Sequence, residues 1–596
     1  MGASNPRCRV RPHGGSGPLR DARAHRPGAH GCASAQRRRK IRALMDAGPD
    51  GFSRITDMKR LLSILLLLSC GGVFASDIAV VAPGAGFGLS LGRHIVRWLG
   101  MNGVPADFVD EKTISTGLKD KKLAYLVMPK TAHLPAIASF SARGGKMFAF
   151  YSDSPKVAAF FGVKMGAYKK ANGSGQFSKV VFGKTAPRGV PSEMVQSSAN
   201  IFTAFPVQGR SRVVATWHDR AGRPTGDAAV LASNVGWWMT HVLLADGDEK
   251  AKAQFLAAVA GASVPGAWRY DEFVAKRRAQ RESDRLYAIA QKPKSGEIRA
   301  VWEHSGQGLY PGDWPRTFRE LQRYGITDIF VNVAGAGFAH YPSKVLPPSS
   351  TFAQRGDQLA ACLRASAGTG IRVHAWIMCF TGTRGSAARL RIFAEKGWRV
   401  RDRKGGLTEY LDPSNAELRQ YLLSAVDEVV GRYAVQGVHL DFVRWYEGSN
   451  LPRNATRPVG QFVAQARMRV KGVRPSAVFS TAVFGKYPSC VAAVGQDWES
   501  WLDAGLVDWM VPMNYVEDGS KYASLVAQQC HTPSHARKIV SGIGVTAIES
   551  RLNVRQVIDQ IRTARRHGAA GIAFFDLDYT LVNDILPYLR LGLFKR

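Results

Sequence analysis

The sequence predicts an α/β protein in two folded parts, a flavodoxin-like parallel sheet followed by a (β/α)8 barrel. Three observations carry this. Eight short apolar runs, each followed by a helical pattern, fill residues 297–596, which is the strand count and length of one barrel. Ahead of them, apolar runs at Asp77–Ala82, Leu123–Met128 and Lys146–Tyr151 alternate with helical patterns. Polar and aromatic residues collect at the C-terminal ends of the later runs, the end that faces the mouth of a barrel.

The chain has 596 residues, a formal net charge of +35 and a pI near 10.2. Residues 1–57 hold twelve Lys/Arg against four Asp/Glu, include Arg37-Arg-Arg-Lys40 and show no hydrophobic periodicity. They read as a disordered basic arm or as sequence ahead of the true start at Met58. Residues 58–76 have the parts of an export signal: Lys59-Arg60, the apolar Leu61–Leu68, and small residues at Val73-Phe-Ala75. The apolar run is too short to span a bilayer. Leu67-Leu-Ser-Cys70 is similar to a bacterial lipobox, so cleavage after Ala75 and lipidation at Cys70 both stay open. Either places the mature protein outside the cytoplasm, secreted, periplasmic or lipid-anchored.

Without residues 1–76 the body still carries roughly +25. In an envelope the matching polyanions are cell-wall polymers and lipid head groups. No zinc-finger, RNP or basic-zipper pattern is present, and nucleic acid is not an expected partner. Cys362, Cys379, Cys490 and Cys530 are too few and dispersed for a disulfide scaffold, although Cys490 and Cys530 are able to pair.

In the first domain, residues 77–265, the strand Asp77–Ala82 leads through Gly84-Ala-Gly-Phe-Gly88 into a helical Ser90–Leu99. The third glycine is at the wrong spacing for a dinucleotide fingerprint. The domain resembles class I glutamine-amidotransferase-like domains, but Tyr151-Ser-Asp-Ser154 stands where their nucleophilic cysteine would be. His133 then has no thiol to serve and reads as structural, and the domain as a scaffold or interaction module. Residues 266–296 read as a charged connecting helix, with Lys276-Arg-Arg-Ala-Gln-Arg-Glu-Ser-Asp-Arg285 among spaced apolar residues.

The barrel strands are expected at Ile298–Trp302, Asp328–Val333, Val373–Met378, Gly437–Phe442, Val478–Phe484, Asp508–Met513, Ile539–Val545 and Gly571–Phe575. A capping box of Ser414 and Glu417 is expected to start a helix that runs to about Tyr433. The stretch on which the site turns is Gly437–Tyr446, an apolar strand that ends in Asp441, Arg444, Trp445 and Tyr446. An acid beside a guanidinium and aromatic rings suits a carbohydrate site: the acid handles protons or charge, the guanidinium orients it, and rings stack on sugar faces.

Glu297-Ile-Arg-Ala-Val-Trp302, Arg372-Val-His-Ala-Trp376, Leu411-Asp-Pro-Ser-Asn415, Gly437-Val-His-Leu-Asp441 and Val494-Gly-Gln-Asp-Trp498 leading to Val507–Tyr515 follow one another in an order that resembles the bacterial glycosyl-hydrolase-like (family-10-like glycosylhydrolase) TIM-barrel family. The resemblance implies an exported glycoside hydrolase acting on an envelope or matrix polysaccharide, including amino-sugar glycans such as peptidoglycan. Asp441 is the expected central carboxylate, with Glu517, Asp518 or Glu303 as the second acid. Arg444 and Tyr515 orient Asp441 and the substrate. His374, Trp376, Trp445, Tyr446, Asn332 and Asp576 complete the expected substrate contacts. Where relatives carry a second acid, this chain has Phe442, and where chitinase-like barrels carry a catalytic Glu it has Val443. These departures support a rival expectation, a non-catalytic glycan-binding protein on a degenerate barrel. No metal motif is visible, and neither metal nor cofactor is expected.

Overall fold

The computed structural model describes residues 76–595, apart from Ser174, Asp246 and Gly247. The expected basic arm, and the export signal up to Ala75, lie outside the described residues. The chain divides into two compact units at Arg269/Tyr270.

The first unit is built on a nine-stranded sheet. Asp107–Asp110, Ile78–Ala82, Leu123–Val127, Lys146–Phe150 and Gly236–Met239 pair in parallel in that order. Pro224–Ser233, Ser211–His218, Phe177–Phe182 and Glu193–Ser198 extend the sheet with antiparallel pairing. The inner strands are apolar on both faces because the sheet is covered on both sides. The antiparallel extension is not among the expected strands; its members mix apolar with polar residues, although Pro224–Ser233 contains the buried run Ala229–Ala232. The chain leaves two parallel strands through residues in the left-handed region, Met128 at φ 51° and Tyr151 at φ 50°. His133 accepts a backbone hydrogen bond from Lys130 at 3.1 Å, as befits a structural residue. The Asp110 carboxylate lies 2.0 Å from where a Cβ on Gly84 would be, so an acid occupies the loop where a pyrophosphate would have to sit.

The second unit holds a parallel eight-stranded barrel: β1 (Ile298–Glu303), β2 (Asp328–Gly335), β3 (Arg372–Met378), β4 (Gly437–Asp441), β5 (Val478–Phe484), β6 (Trp509–Met513), β7 (Val540–Gly544) and β8 (Gly571–Phe575). The ladder runs β6-β5-β4-β3-β2-β1-β8-β7. The remaining seam, β6 to β7, closes through a single bridge between Met510 and Ile539. A clamp supports the far side: Arg565 donates two 2.7 Å hydrogen bonds to Glu297, tying the last long helix to the start of β1.

The helices follow from amphipathic spacing and caps. Val554–Arg566 buries Val554, Val557, Ile558, Ile561 and Ala564, and begins in a capping box of Asn553 and Gln556. The helix expected after Ser414 spans Ala416–Arg432, but its cap is Asn415, whose side chain accepts from Leu418 N at 2.9 Å. Ser414 is diverted instead to Asp412, at 2.6 Å. The charged helix ahead of the barrel spans Tyr270–Ile289, within the second unit. Asp284 pairs with Arg555 at 2.7 Å, and Tyr287 donates to Asp559 at 2.5 Å. Cys362, Cys379, Cys490 and Cys530 are free thiols, so Cys490 and Cys530 do not pair.

Alternation along each strand fills the barrel in layers. Near the strand starts, Asp328 accepts from His374 Nε2 at 2.8 Å, and the His374 ring packs 5.2 Å from Trp509. Above them Phe330 stacks on His439 at 4.1 Å, and Trp302 Nε1 donates to His439 Nε2 at 3.0 Å. Because that nitrogen accepts, Nδ1–H of His439 donates to Ser480 Oγ at 2.9 Å, and burial keeps the ring neutral.

Beside the upper end of the barrel, His340 is buried on a loop after β2. Its Nδ1 meets Ser349 Oγ at 2.7 Å, and its Nε2 has no hydrogen-bond partner among the described residues. Its ring fills the space over Gly306, where a Cβ would lie 2.3 Å from it. Burial, and then the charge of Arg384, hold its pKa down to about 4. An unfolded histidine takes a proton near 6.5, so the native state should lose stability as pH falls from about 6.5 to about 4, by about 3 kcal/mol from this group. Urea denaturation followed across that range should show a shallower loss in His340→Gln than in the wild type. Equal slopes would remove His340 from the acid response.

Candidate active site at the barrel mouth

Asp441 is the last residue of β4 and is buried. The next residue, Phe442, adopts φ 53°, which turns the chain sharply off the strand, and its N–H donates to Asp441 Oδ1 at 2.6 Å. Arg444 Nη1 stands 3.6 Å from the same oxygen, an ion-pair distance too long for a hydrogen bond. That guanidinium is held between two rings, 4.3 Å from the Phe442 centroid and 4.5 Å from that of Phe484. Its Nη1 is shielded from solvent and makes no hydrogen bond among the described residues.

Burial pushes the Asp441 carboxyl above the ordinary carboxylate range. Arg444, the Phe442 N–H, the charge of His304 and the indole N–H of Trp376 oppose it without cancelling it. Trp376 Nε1 makes no well-formed hydrogen bond among the described residues, so its help to Asp441 is weak. Above it His304 stacks on the Trp376 ring at 5.6 Å. His304 is an exposed residue of the rim, yet desolvation and Arg384 lower its pKa while Asp441 acts in the other direction.

Tyr515 follows β6 and packs against Phe575 at 5.2 Å and Trp302 at 6.3 Å. Burial raises its hydroxyl pKa, and the charges of Asp441, Glu549 and Asp576 add to this, which sets Tyr515 in the field of three carboxyls. Asp576, just past β8, accepts from Thr546 Oγ1 at 3.2 Å, and burial raises its pKa too. Asp578 beside it is also raised by burial and caps Leu581 N at 2.7 Å. On the other flank Tyr446 stacks on Tyr410 at 4.4 Å with an 18° interplanar angle, and Phe442 lies 6.2 Å from Tyr410. All three rings are partly exposed.

Asp441, Arg444, Trp376, Tyr515, Tyr446 and Asp576 are thus brought to the upper end of the barrel. Asn332 is buried beneath it, with Nδ2 3.3 Å from the Met378 sulfur and Oδ1 without a hydrogen-bond partner among the described residues. Five expected site residues are committed elsewhere. His374 belongs to the floor, because it lies two positions before Trp376 on β3 and its Nε2 is taken by Asp328. Trp445 is buried and donates to Ala455 O at 3.0 Å, so it offers no sugar platform. Glu517 is exposed and accepts from Arg551 N at 2.9 Å, while Asp518 is the N-cap of Gly519–Gln529. Glu303 is buried, but its carboxylate is filled by Ser305 N at 3.1 Å, Gly306 N at 2.8 Å and Gly308 N at 3.2 Å. Burial raises its pKa as well, against the opposition of these donors, and the same donors fix the carboxyl in the turn Ser305–Gly308.

Residues 297–457, which include β1 to β4 and therefore Asp441, match the family described as Glycosyl hydrolase-like 10. The resemblance read from the sequence motifs is the one the match supports. Glycosyl hydrolase DigH of Escherichia coli (strain K12) is 27% identical over 247 residues, covering 33% of this chain and 56% of the relative. DigH of Shigella flexneri gives the same figures. The matched part thus spans about half the length of these relatives. Among solved structures, the endo-1,4-beta-mannanase from Rhizomucor miehei aligns at 10% identity over 47% of this chain and 86% of its own, with a TM-score of 0.35. A plant class V chitinase mutant from Cycas revoluta aligns at 13% identity over 49% and 98%, with a TM-score of 0.34. Those likenesses are too loose to bear on the site.

Because the positive charge of Arg444 favours the carboxylate form, Arg444→Met should raise the Asp441 pKa further. A 13C carboxyl titration by NMR should show an upward shift of the midpoint. An unchanged midpoint would mean that the 3.6 Å pair carries no coupling.

Proposed function

We propose that this protein is an extracytoplasmic glycoside hydrolase that cleaves glycosidic bonds in an envelope or matrix polysaccharide, with amino-sugar glycans such as peptidoglycan strands the favoured substrate. The observation that carries this is Asp441, a buried carboxyl of raised pKa at the end of β4, in a segment that matches a glycosyl-hydrolase-like family. A buried carboxyl whose pKa is raised suits the acid that protonates a leaving oxygen. Asp576, just past β8 and raised in pKa by burial, is the second carboxyl of this reading; Glu549, whose charge also reaches Tyr515, is exposed. Tyr446, Tyr410 and Phe442 supply partly exposed rings for sugar faces. Polysaccharide is the proposed partner. The basic body, at roughly +25, would hold the enzyme against anionic wall polymers or lipid head groups.

The alternative of a glycan-binding protein without catalysis has its own observation. Phe442 and Val443 stand where acids are expected, and Glu303 is locked in a turn.

Purified residues 77–596 should release reducing ends from amino-sugar polymers. Asp441→Asn should lower turnover by ~10³-fold and Asp576→Asn by ~10²-fold, with glycan binding retained within a few-fold. Glu517→Gln and Asp518→Asn should stay near wild type. Binding without any release would establish the non-catalytic reading, and wild-type turnover in Asp441→Asn would remove Asp441 from the chemistry.

The role of the charge is tested separately. Binding to cell-wall sacculi should weaken steeply as ionic strength approaches physiological values, where the Debye length is about 8 Å. Turnover of a short neutral oligosaccharide should change little. Salt-insensitive wall binding would leave the excess charge without this role.

A further inference from the structure

The sequence carries no recognisable metal motif, yet three side chains distant from the mouth converge. Glu499, His531 and His535 each offer one ligand atom, and these atoms lie within 4.8 Å of one another. Glu499 is in the first turn of Trp498–Asp503, a short helix ahead of β6. His531 follows the helix Gly519–Gln529, and His535 lies in the turn Pro533–Ala536 ahead of β7. Both histidines therefore sit on the chain that returns to the strand-start side of the barrel, opposite Asp441.

We propose that Glu499, His531 and His535 form a site for a divalent transition-metal ion of the zinc class. Three observations carry it. His531 Nε2 and Glu499 Oε1 are 3.3 Å apart, the separation of two ligands about 2.0–2.1 Å from one tetrahedral ion. His535 is buried, and its Nδ1 has no hydrogen-bond partner among the described residues, which leaves a lone pair or proton unsatisfied. Its Nε2 is held by Asp503 Oδ1 at 2.7 Å, the carboxylate–histidine arrangement that fixes the tautomer and orientation of a metal-bound imidazole. A plain ion pair accounts for His531 and Glu499, but not for the unpartnered Nδ1. Water is able to fill the fourth position, because His531 is exposed.

The site also has a mechanical setting. His535 O accepts from Lys538 N at 2.8 Å and from Ile539 N at 3.1 Å. Ile539 forms the single bridge to Met510 that closes β6 against β7. An ion bound here joins the helix before β6 to the turn before β7 and so staples the least paired seam of the barrel.

The test is zinc binding to the purified, metal-stripped full chain by calorimetry, with thermal unfolding in parallel. The wild type should bind one Zn2+ at this site at micromolar concentration or tighter and unfold at a higher temperature with zinc than without. His531→Ala, exposed and so able to fold, should keep the apo unfolding temperature and bind zinc at least tenfold more weakly. Glu499→Gln should weaken binding in the same direction. Asp503→Asn, which alters only the group that orients His535, should weaken it less than His531→Ala. Failure to bind zinc in the wild type, or equal affinity and equal stabilisation in His531→Ala, would overturn the proposal.

Discussion

A carboxyl group taken out of water needs partners or a proton, and Asp441 has only part of the first. Its one close hydrogen bond comes from the next residue in the chain, and its guanidinium partner stands off at 3.6 Å. The rest of the mouth is arranged around that incomplete pairing. Phe442 and Phe484 sandwich Arg444 and prevent it from swinging out to solvent. Trp376 and Tyr515 wall off the other sides and keep the dielectric low. The left-handed turn at Phe442 belongs to the same device, since it aims the donating N–H back at the acid while laying its ring on the guanidinium.

The barrel was legible in the sequence because parallel strands buried on both faces must be short, apolar and separated by amphipathic helices. The eight expected runs and the eight strands differ by a residue or two at their ends. Asp441 was legible for a related reason: a charged residue at the C-terminal end of an apolar run has nowhere to go but the rim. The errors also have common causes. His374 and Trp376 read alike as polar-aromatic strand residues, but two steps along a strand are the difference between the floor and the upper layer. Glu517, Asp518 and Glu303 were read as free acids, whereas loops at a barrel rim are full of unpaired backbone N–H groups that recruit carboxylates as caps. Tyr410 was missed because it arrives on a strand pair inserted between β3 and β4, Arg399–Arg401 with Leu407–Leu411, which no periodicity within the barrel announces.

The first unit shows the complementary limit. Its parallel strands were visible as apolar runs, while the antiparallel extension alternates in burial and hides among loop-like residues. At Tyr151 the backbone has the left-handed turn that follows a strand, but the side chain is a phenol that donates to Asn200. Ser152 and Ser154 beside it are also committed, to Pro129 O at 2.6 Å and to Val157 N at 3.3 Å. Backbone geometry and reactive side chain are separable features, and here the first is present without the second.

The layered filling of the barrel constrains traffic. From the Asp328–His374 pair through Phe330, His439 and Trp302, the interior is packed from the strand starts upward, so the barrel is a cup and not a tube. Whatever reaches Asp441 must arrive and depart through the same opening, past the same rings of Tyr410 and Tyr446. Arrival and departure are then coupled: a ring that holds an arriving ligand holds it equally on the way out, and tighter capture is obtained only with slower clearance.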